Sequence, residues 1–330
     1  MDEIVGKVRL SLVKVGEVLG IQNLDPESGL IFVTGGNGVV GHRVASRLLS
    51  AGYPQVRLGA HNPDAFAEKN KEGAEIADFS WDRPDTFDKA LTGVKSVFCT
   101  APYVKDWKQF FGPFLEACKK AGVKHFVKLS FYHARLSGDP FQNVPLVRDH
   151  GDCDEALVKS GLPYTILCAS HLMSNPLVYQ SHELRADQKP AVLYGASANK
   201  GVNYVSPNDI AEVAVRVLLE PIPHFGKEYT LTGPEPITDQ VVAQHLSDHL
   251  KKPIMYVDQP MHSFEQNIKT GGDPEWMADD LVTLEMIKAS GYEQDPGFVS
   301  KDIEKICGRE AENFESYLRM TEYMTPMERA

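Results

Sequence analysis

The sequence predicts an α/β protein, a doubly wound parallel sheet followed by a smaller C-terminal α/β lobe. Short apolar runs of strand length alternate with helix-length segments from Leu30 to Glu220, the pattern of parallel strands joined by helical crossovers. A glycine-rich turn lies between the first of these strands and the first helix, where open α/β sheets hold phosphate. The chain has 330 residues, more than the ~250–300 at which a single core stops growing, so an additional lobe is expected.

Taken in order, EIVGKVRLSLVKVGEVLG at 3–20 spaces its apolar residues three to four apart and predicts an amphipathic helix. Docking on its own domain, joining a homodimer and lying on a membrane surface are three uses open to it, and docking is favoured because the opposite face is not strongly basic. NLDPESG then reads as a linker. LIFV is a buried strand and VVGHRVASRLLSAG a helix ending at Gly52. QVRLGA, EIADFS, SVFCTAP, HFVKLS and TILCAS continue the strands, with TFDKALTG and FFGPFLEACKKAG as helices between them. SPNDIAEVAVRVLLE is a helix with Ser206 or Asn208 as its cap. Beyond KEYTLTGPEPIT, the helix QVVAQHLSDHL, the strand PIMYV and helical segments at 273–290 and 309–321 form the smaller lobe. The expected division is 1–29 as N-terminal helix and linker, 30–178 as the dinucleotide-binding core with 201–232 returning to it, and 179–200 with 233–330 as a lobe that covers the substrate.

Charge and cysteine usage narrow the function. Lys and Arg total 34 against 45 Asp and Glu, a formal charge of −11 with no basic stripe, which argues against nucleic acid and anionic membrane as partners. No apolar run reaches the ~18 residues of a membrane span. The N-terminus resembles neither a secretory signal nor a transit peptide. Five scattered cysteines without a C-x-x-C pair read as free thiols in a reducing compartment. The expected location is the cytoplasm.

The turn Gly35-Gly36-Asn37-Gly38-Val39-Val40-Gly41 has the spacing G-x-x-G-x-x-G between a strand and a helix start. Glycines there let backbone approach a pyrophosphate, and the helix N-terminus offers unpaired N–H groups. This is a Rossmann-type dinucleotide site. At the end of the second strand, VRLGAHNPD has Arg57 and His61 near the turn and no acidic residue before Asp64. NADP(H) is therefore favoured over NAD(H), which an acidic side chain at that place would select. Asp78 and Phe79 after the third strand are candidates for the adenine edge.

The chain resembles the NmrA-like group of atypical short-chain dehydrogenase/reductases, and within it the NADPH quinone oxidoreductases and triphenylmethane reductases. The resemblance rests on FVTGGNGVVGH, His61-Asn62-Pro63, AGVKHFVKLSFYHA, SGLPYTIL, VSPNDIAEVAVRVLLEP, EYTLTGPEPIT and DPEWMADDLV. It implies cofactor contacts from the glycine turn, from Thr100, Ala101 and Pro102 after the fourth strand, and from Ser130 at the end of the fifth. The arginine of the family after the second strand is His61 here. His150 falls where classical members carry a catalytic Lys, Asp154 at the acidic position one turn later, and Asn175 at an Asn of the substrate-facing loop. The Arg commonly following the sixth strand is Cys168.

The Tyr-x-x-x-Lys pair of classical members is missing. None of the twelve tyrosines has Lys four residues later, and Leu146 stands at the aligned Tyr position. That pair exists to move a proton to or from an alkoxide. A quinone needs less help, because hydride delivery leaves a delocalised hydroquinone anion. His150 then has three readings: donor to the substrate oxygen, support for the nicotinamide ribose, or a solvated helix residue paired with Asp154 at i+4. Tyr132 and His133, just past the fifth strand, are candidates to line the acceptor pocket. Trp81 and Trp107 are candidates for its aromatic surface. Cys153, beside His150, is a candidate redox thiol. His245 and His249 have the i, i+4 spacing of a zinc pair but no third ligand, so no metal is expected.

The leading expectation is an NADPH-dependent oxidoreductase with a conjugated small-molecule acceptor, using His150, Asn175 and Tyr132 and roofed by 233–320. The alternative is a non-catalytic NADP(H)-binding redox sensor that acts through protein partners. A double-bond reductase or isomerase of the same fold is disfavoured by the missing Lys.

Overall fold

The computed structural model describes residues 16–18, 20–21, 29–69, 73–176, 191–270 and 274–320. The expected helix at 3–20 lies almost wholly outside the described residues, as do 177–178 of the expected core and 179–190 of the expected covering lobe.

The strands are β1 (Leu30–Val33), β2 (Val56–Ala60), β3 (Glu75–Asp78), β4 (Val94–Cys99), β5 (His125–Phe131), β6 (Tyr164–Ala169), β7 (His171–Leu172), β8 (Ala191–Gly195), β9 (Val202–Val205), β10 (Lys227–Leu231), β11 (Pro236–Ile237) and β12 (Ile254–Asp258). Seven of them form one sheet in the order β10-β6-β5-β4-β1-β2-β3. The pairs β1–β2, β1–β4, β2–β3 and β4–β5 are parallel. The bonds Phe126 N–H to Pro163 O and Tyr132 N–H to Ala169 O advance together along β5 and β6, as parallel strands require. The winding reverses between β1 and β4, which opens the crevice where doubly wound sheets bind ligands.

Helices α1 (Val39–Ser50), α2 (Pro63–Lys69), α3 (Phe87–Ala90), α4 (Phe111–Ala121), α5 (Pro145–Lys159) and α6 (Pro207–Leu219) connect these strands. α6 starts as expected: Ser206 Oγ accepts from Asn208 N–H at 3.1 Å, so Ser206 is the cap. α7 (Asp239–Leu250), α8 (Met261–Thr270), α9 (Glu275–Ala289), α10 (Asp302–Cys307) and α11 (Phe314–Met320) follow.

The chain divides into two compact units: Met1–Ser130 with Asp152–Cys168 and Ile210–Tyr229, and Phe131–Gly151 with Ala169–Asp209 and Thr230–Ala330. The first unit has an aromatic core in which Phe79, Trp81, Phe87, Trp107, Phe111 and Phe114 pack mostly edge to face. Trp81 and Trp107 are thus core residues, buried to 9% and 2% exposure, and not a pocket surface. Arg57 is also internal. Its guanidinium donates to the carbonyls of Ala90 and Thr92 at 2.7 Å and to Glu75 at 3.0 Å, so it is consumed by the fold.

In the second unit β11-β9-β7 form a small sheet and β8 pairs in parallel with β12. Here the N-terminal part of α5 presses against the turn after β5. A Cβ on Gly151 would stand 2.1 Å from the carbonyl oxygen of Ala134, so only glycine permits this approach.

Candidate functional site

The turn after β1 is built largely on glycines. Gly35 has φ +62°, a left-handed conformation that glycine adopts without strain. A Cβ on Gly35 would fall 2.4 Å from Thr100 Oγ1, and one on Gly41 would fall 2.3 Å from the Gly35 carbonyl oxygen. Gly38 N–H donates to that same carbonyl at 2.8 Å, closing the turn. Asn37 and Gly38 are exposed, while Val40 and Gly41 are buried under the turn. α1 begins at Val39 with Gly38 as its cap, no side-chain capping bond and no acidic residue in the first turn. Its leading N–H groups and partial positive charge therefore suit an anion.

Across the switch point, Thr34 and Thr100 bind each other three times. Thr34 Oγ1 donates to Thr100 O at 3.0 Å and accepts from Thr100 N–H at 2.8 Å, and Thr100 Oγ1 donates to Thr34 O at 3.1 Å. These bonds satisfy main-chain groups that lie past the sheet and hold the ends of β1 and β4 together. Ala101 and Pro102 follow, both half-buried.

Beyond β2 and β3, His61 is exposed and its Nδ1 lies 3.0 Å from Ser80 Oγ, whose hydroxyl donates to Asp82. Asp78 accepts two bonds from Arg83, at 2.5 and 3.2 Å. The Arg83 guanidinium also reaches the His61 carbonyl at 3.4 Å. Phe79 turns its ring into the aromatic core, 4% exposed, leaving only main-chain atoms to offer a ligand.

Ser130 is buried, and its hydroxyl donates to Asp154 at 2.5 Å. Asp154 also faces Lys128 Nζ at 2.7 Å. Asp154, the i+4 partner in one reading of His150, has no exposure, and its charge faces a buried lysine. His150 itself is half-buried on α5. Cys153 is buried. Burial pushes the Cys99 thiol up to about 12, so it stays protonated.

In the second unit Tyr132 is fully buried and donates to Glu293, which also faces His171 Nε2 at 3.2 Å. Burial and the neighbouring Glu293 push the Tyr132 phenol well above its ordinary value. Burial alone would raise the Glu293 carboxyl, but His171 and the two hydrogen bonds outweigh it and hold the group low. Asn175 is half-buried and lies two residues before the undescribed 177–190. His245 lies against the Phe314 ring, and among the described residues no group of three potential metal ligands occurs. Among them, too, no helix is long and apolar enough to cross a membrane.

Residues 35–221 match the NAD(P)H-binding family, more than half of the chain. The protein belongs to that family. It is 29% identical over 290 residues to an NAD(P)H azoreductase of Xenophilus azovorans, spanning 88% of this chain and 97% of the relative. In fold it is similar to the NADPH-dependent quinone oxidoreductase of Escherichia coli in complex with NADPH, with TM-score 0.73 and 24% identity over 88% of this chain and 99% of that one. It is also similar to NmrA, a negative transcriptional regulator solved with NADP, with TM-score 0.67 and 16% identity over 88% of this chain and 94% of that one.

The glycine-rich turn and uncapped helix start have the shape and polarity this family's cofactor needs. Sequence reasoning found that turn and passed over three charged residues: Arg83, Lys128 and Glu293. Lys128 left one trace, a charge in the middle of the apolar run HFVKLS. Arg83 and Glu293 sit in polar stretches and left none.

Proposed function

We propose that this NAD(P)H-binding protein is an NADPH-dependent reductase whose acceptor is quinone-like or otherwise conjugated. The observation that carries the reading is the phosphate-shaped turn Gly35–Gly41 at the switch point, in a chain without a Tyr-x-x-x-Lys pair. An acceptor that stabilises its own negative charge needs no such pair. Similarity to an azoreductase supports this, since an azo group is a conjugated acceptor.

In this reading the main chain of Gly35, Asn37, Gly38, Val39, Val40 and Gly41 binds the pyrophosphate. His61 and Arg83 face the ribose 2′-phosphate, a role suited to a fork of N–H donors. Asp78 orients that fork through its two bonds. Thr100, Ala101 and Pro102 border the nicotinamide half, and Ser130 keeps Asp154 and Lys128 in place beneath it. His150 and Asn175 position the acceptor. When bound, NADPH supplies the hydride; the protein orients the partners and excludes water. Free thiols at all five cysteines fit a cytoplasmic setting.

The test is the decay of NADPH absorbance with purified protein against quinones, an azo dye, a triarylmethane dye and an enone, with NADH in parallel. Acceptor-dependent decay that prefers NADPH supports the reading. Cofactor binding by calorimetry with no acceptor consumed replaces it with a redox sensor acting through protein partners.

A further inference from the structure

Within the second unit, β12 presents an edge that the described residues leave open. Among them it pairs only with β8, in parallel, in a two-stranded sheet. Ala191 N–H donates to the Pro253 carbonyl and Gln259 N–H to the Gly195 carbonyl. Successive residues of a strand turn their N–H and C=O groups to opposite sides. Met255 and Val257 therefore face β8 with these groups, and Ile254, Tyr256 and Asp258 face away from it. At Ile254 both groups are engaged: the N–H donates to Ser247 Oγ at 2.9 Å and the carbonyl accepts from that hydroxyl at 3.1 Å. The main-chain groups of Tyr256 and Asp258 have no hydrogen-bond partner among the described residues.

Native sheet edges are normally blunted by a charge, a proline or a bulge. Between Ile254 and Val257 this strand has none of them, and its ladder with β8 runs in unbroken register. Ile254 and Tyr256 pack inward with Val242, Ala243 and Leu246 of α7. Met255 and Val257 point to the opposite face, 53% and 37% exposed. Charge stands only at the two ends of the strand, Lys251 and Lys252 before it and Asp258 at its close.

An antiparallel copy of the same strand, with the twofold axis at Tyr256, complements each of these features. The two Tyr256 residues would exchange N–H and C=O bonds. Each Asp258 N–H would reach the second lone pair of the partner's Ile254 carbonyl. Met255 would stand opposite the partner's Val257 in a pair without hydrogen bonds, where side chains come closest. Asp258 would lie diagonal to the partner's Lys252, a separation that a long side chain spans. A parallel copy would set lysine end against lysine end.

We infer that β12 is an interface between two copies of this chain, paired antiparallel about Tyr256. The contact is isologous, so it closes on itself as a dimer and does not propagate. One short strand edge buries little surface, which puts this dimer in the weak class below about 1,200 Å². The inference is independent of the reductase reading.

The test is sedimentation velocity of the full-length chain from about 1 to 200 μM, a range that brackets micromolar dissociation constants. Amide hydrogen exchange is measured at both ends of that range. A dimer is expected to form as concentration rises, with the Tyr256 and Asp258 amides slowed only where it is populated. Asp258→Lys sets like charges together and is expected to raise the dimer Kd about tenfold or more. Combining it with Lys252→Asp reverses both ends of the strand and is expected to restore the dimer. Asp258 also accepts from Tyr256 Oη at 2.7 Å, so Val257→Lys, on the opposite face, serves as the second disrupting variant. A wild type that stays monomeric at the highest concentration overturns the inference and leaves the edge to another occupant. A dimer that both Val257→Lys and Asp258→Lys leave intact overturns it as well, since its contact would lie on a different surface.

Discussion

Lys128 Nζ and Asp154 Oδ1 face each other at 2.7 Å with side-chain exposures of 1% and 0%. The lysine comes from the middle of β5 and the aspartate from α5, so an ion pair ties helix to sheet inside apolar packing. Ser130 occupies the second carboxylate oxygen at 2.5 Å, and the Phe111 ring centroid is 5.8 Å from the ammonium. Two charges this deep persist only together, because desolvation penalises each one alone.

Removing one partner should therefore cost more than removing both. Lys128→Met leaves the carboxylate buried and unopposed, and is expected to destabilise the protein by about 3–5 kcal/mol. Adding Asp154→Leu should restore most of that loss. Urea unfolding of the two single variants and the double variant measures the coupling; simple additivity of the two single effects would show that the pair is not coupled.

Arg83 bears on the choice between NADPH and NADH. Its guanidinium is 38% exposed and bidentate on Asp78, next to the His61 carbonyl. If it faces the 2′-phosphate, Arg83→Gln should weaken NADPH binding on the order of 10–100-fold and leave NADH binding nearly unchanged. Calorimetric titration with both cofactors decides this. Parallel losses for the two would assign Arg83 to the turn's structure and return the phosphate to His61 alone.

The contrast between what could and could not be read from the sequence follows from distance along the chain. The strand–turn–helix around Gly35–Gly41 is a local pattern: Gly38 and Gly41 are demanded by contacts within seven residues, and Gly35 by Thr100 at the neighbouring strand end. The strand train was legible for the same reason. β8 and α2 were not, since a five-residue strand and a seven-residue helix opening on Pro63 carry little periodicity. Charged residues were hardest. Lys128 looks like a solvent-facing alternation until Asp154 closes over it, and Arg57 looks like a phosphate ligand until the carbonyls of Ala90 and Thr92 take its N–H groups. His133 was read as pocket-lining, but nothing in FYHARLSGD shows its backbone at φ +61° or the Asp139 carboxylate turned back onto its ring.

His125 makes the stability pH-dependent. It is 1% exposed, and its Nε2 lies 2.8 Å from Thr165 Oγ1. That hydroxyl donates to the His224 carbonyl at 2.7 Å, so it accepts from His125 and sets the neutral tautomer. Burial first, and the nearby His224 second, lower the His125 pKa to about 3. The unfolded chain takes up a proton as pH falls through about 6.5, while the folded chain does not until about 3. The unfolded state thus binds more protons across that window, and stability must fall with pH, by about 1.4 kcal/mol per unit for this one group. Between pH 6.5 and 5 the loss is about 2 kcal/mol. In His125→Gln, which keeps a donor for Thr165 but cannot titrate, that share of the slope should vanish. Urea midpoints of both proteins at pH 7 and pH 5 provide the comparison, and an identical pH dependence in the variant would place the acid sensitivity at other groups.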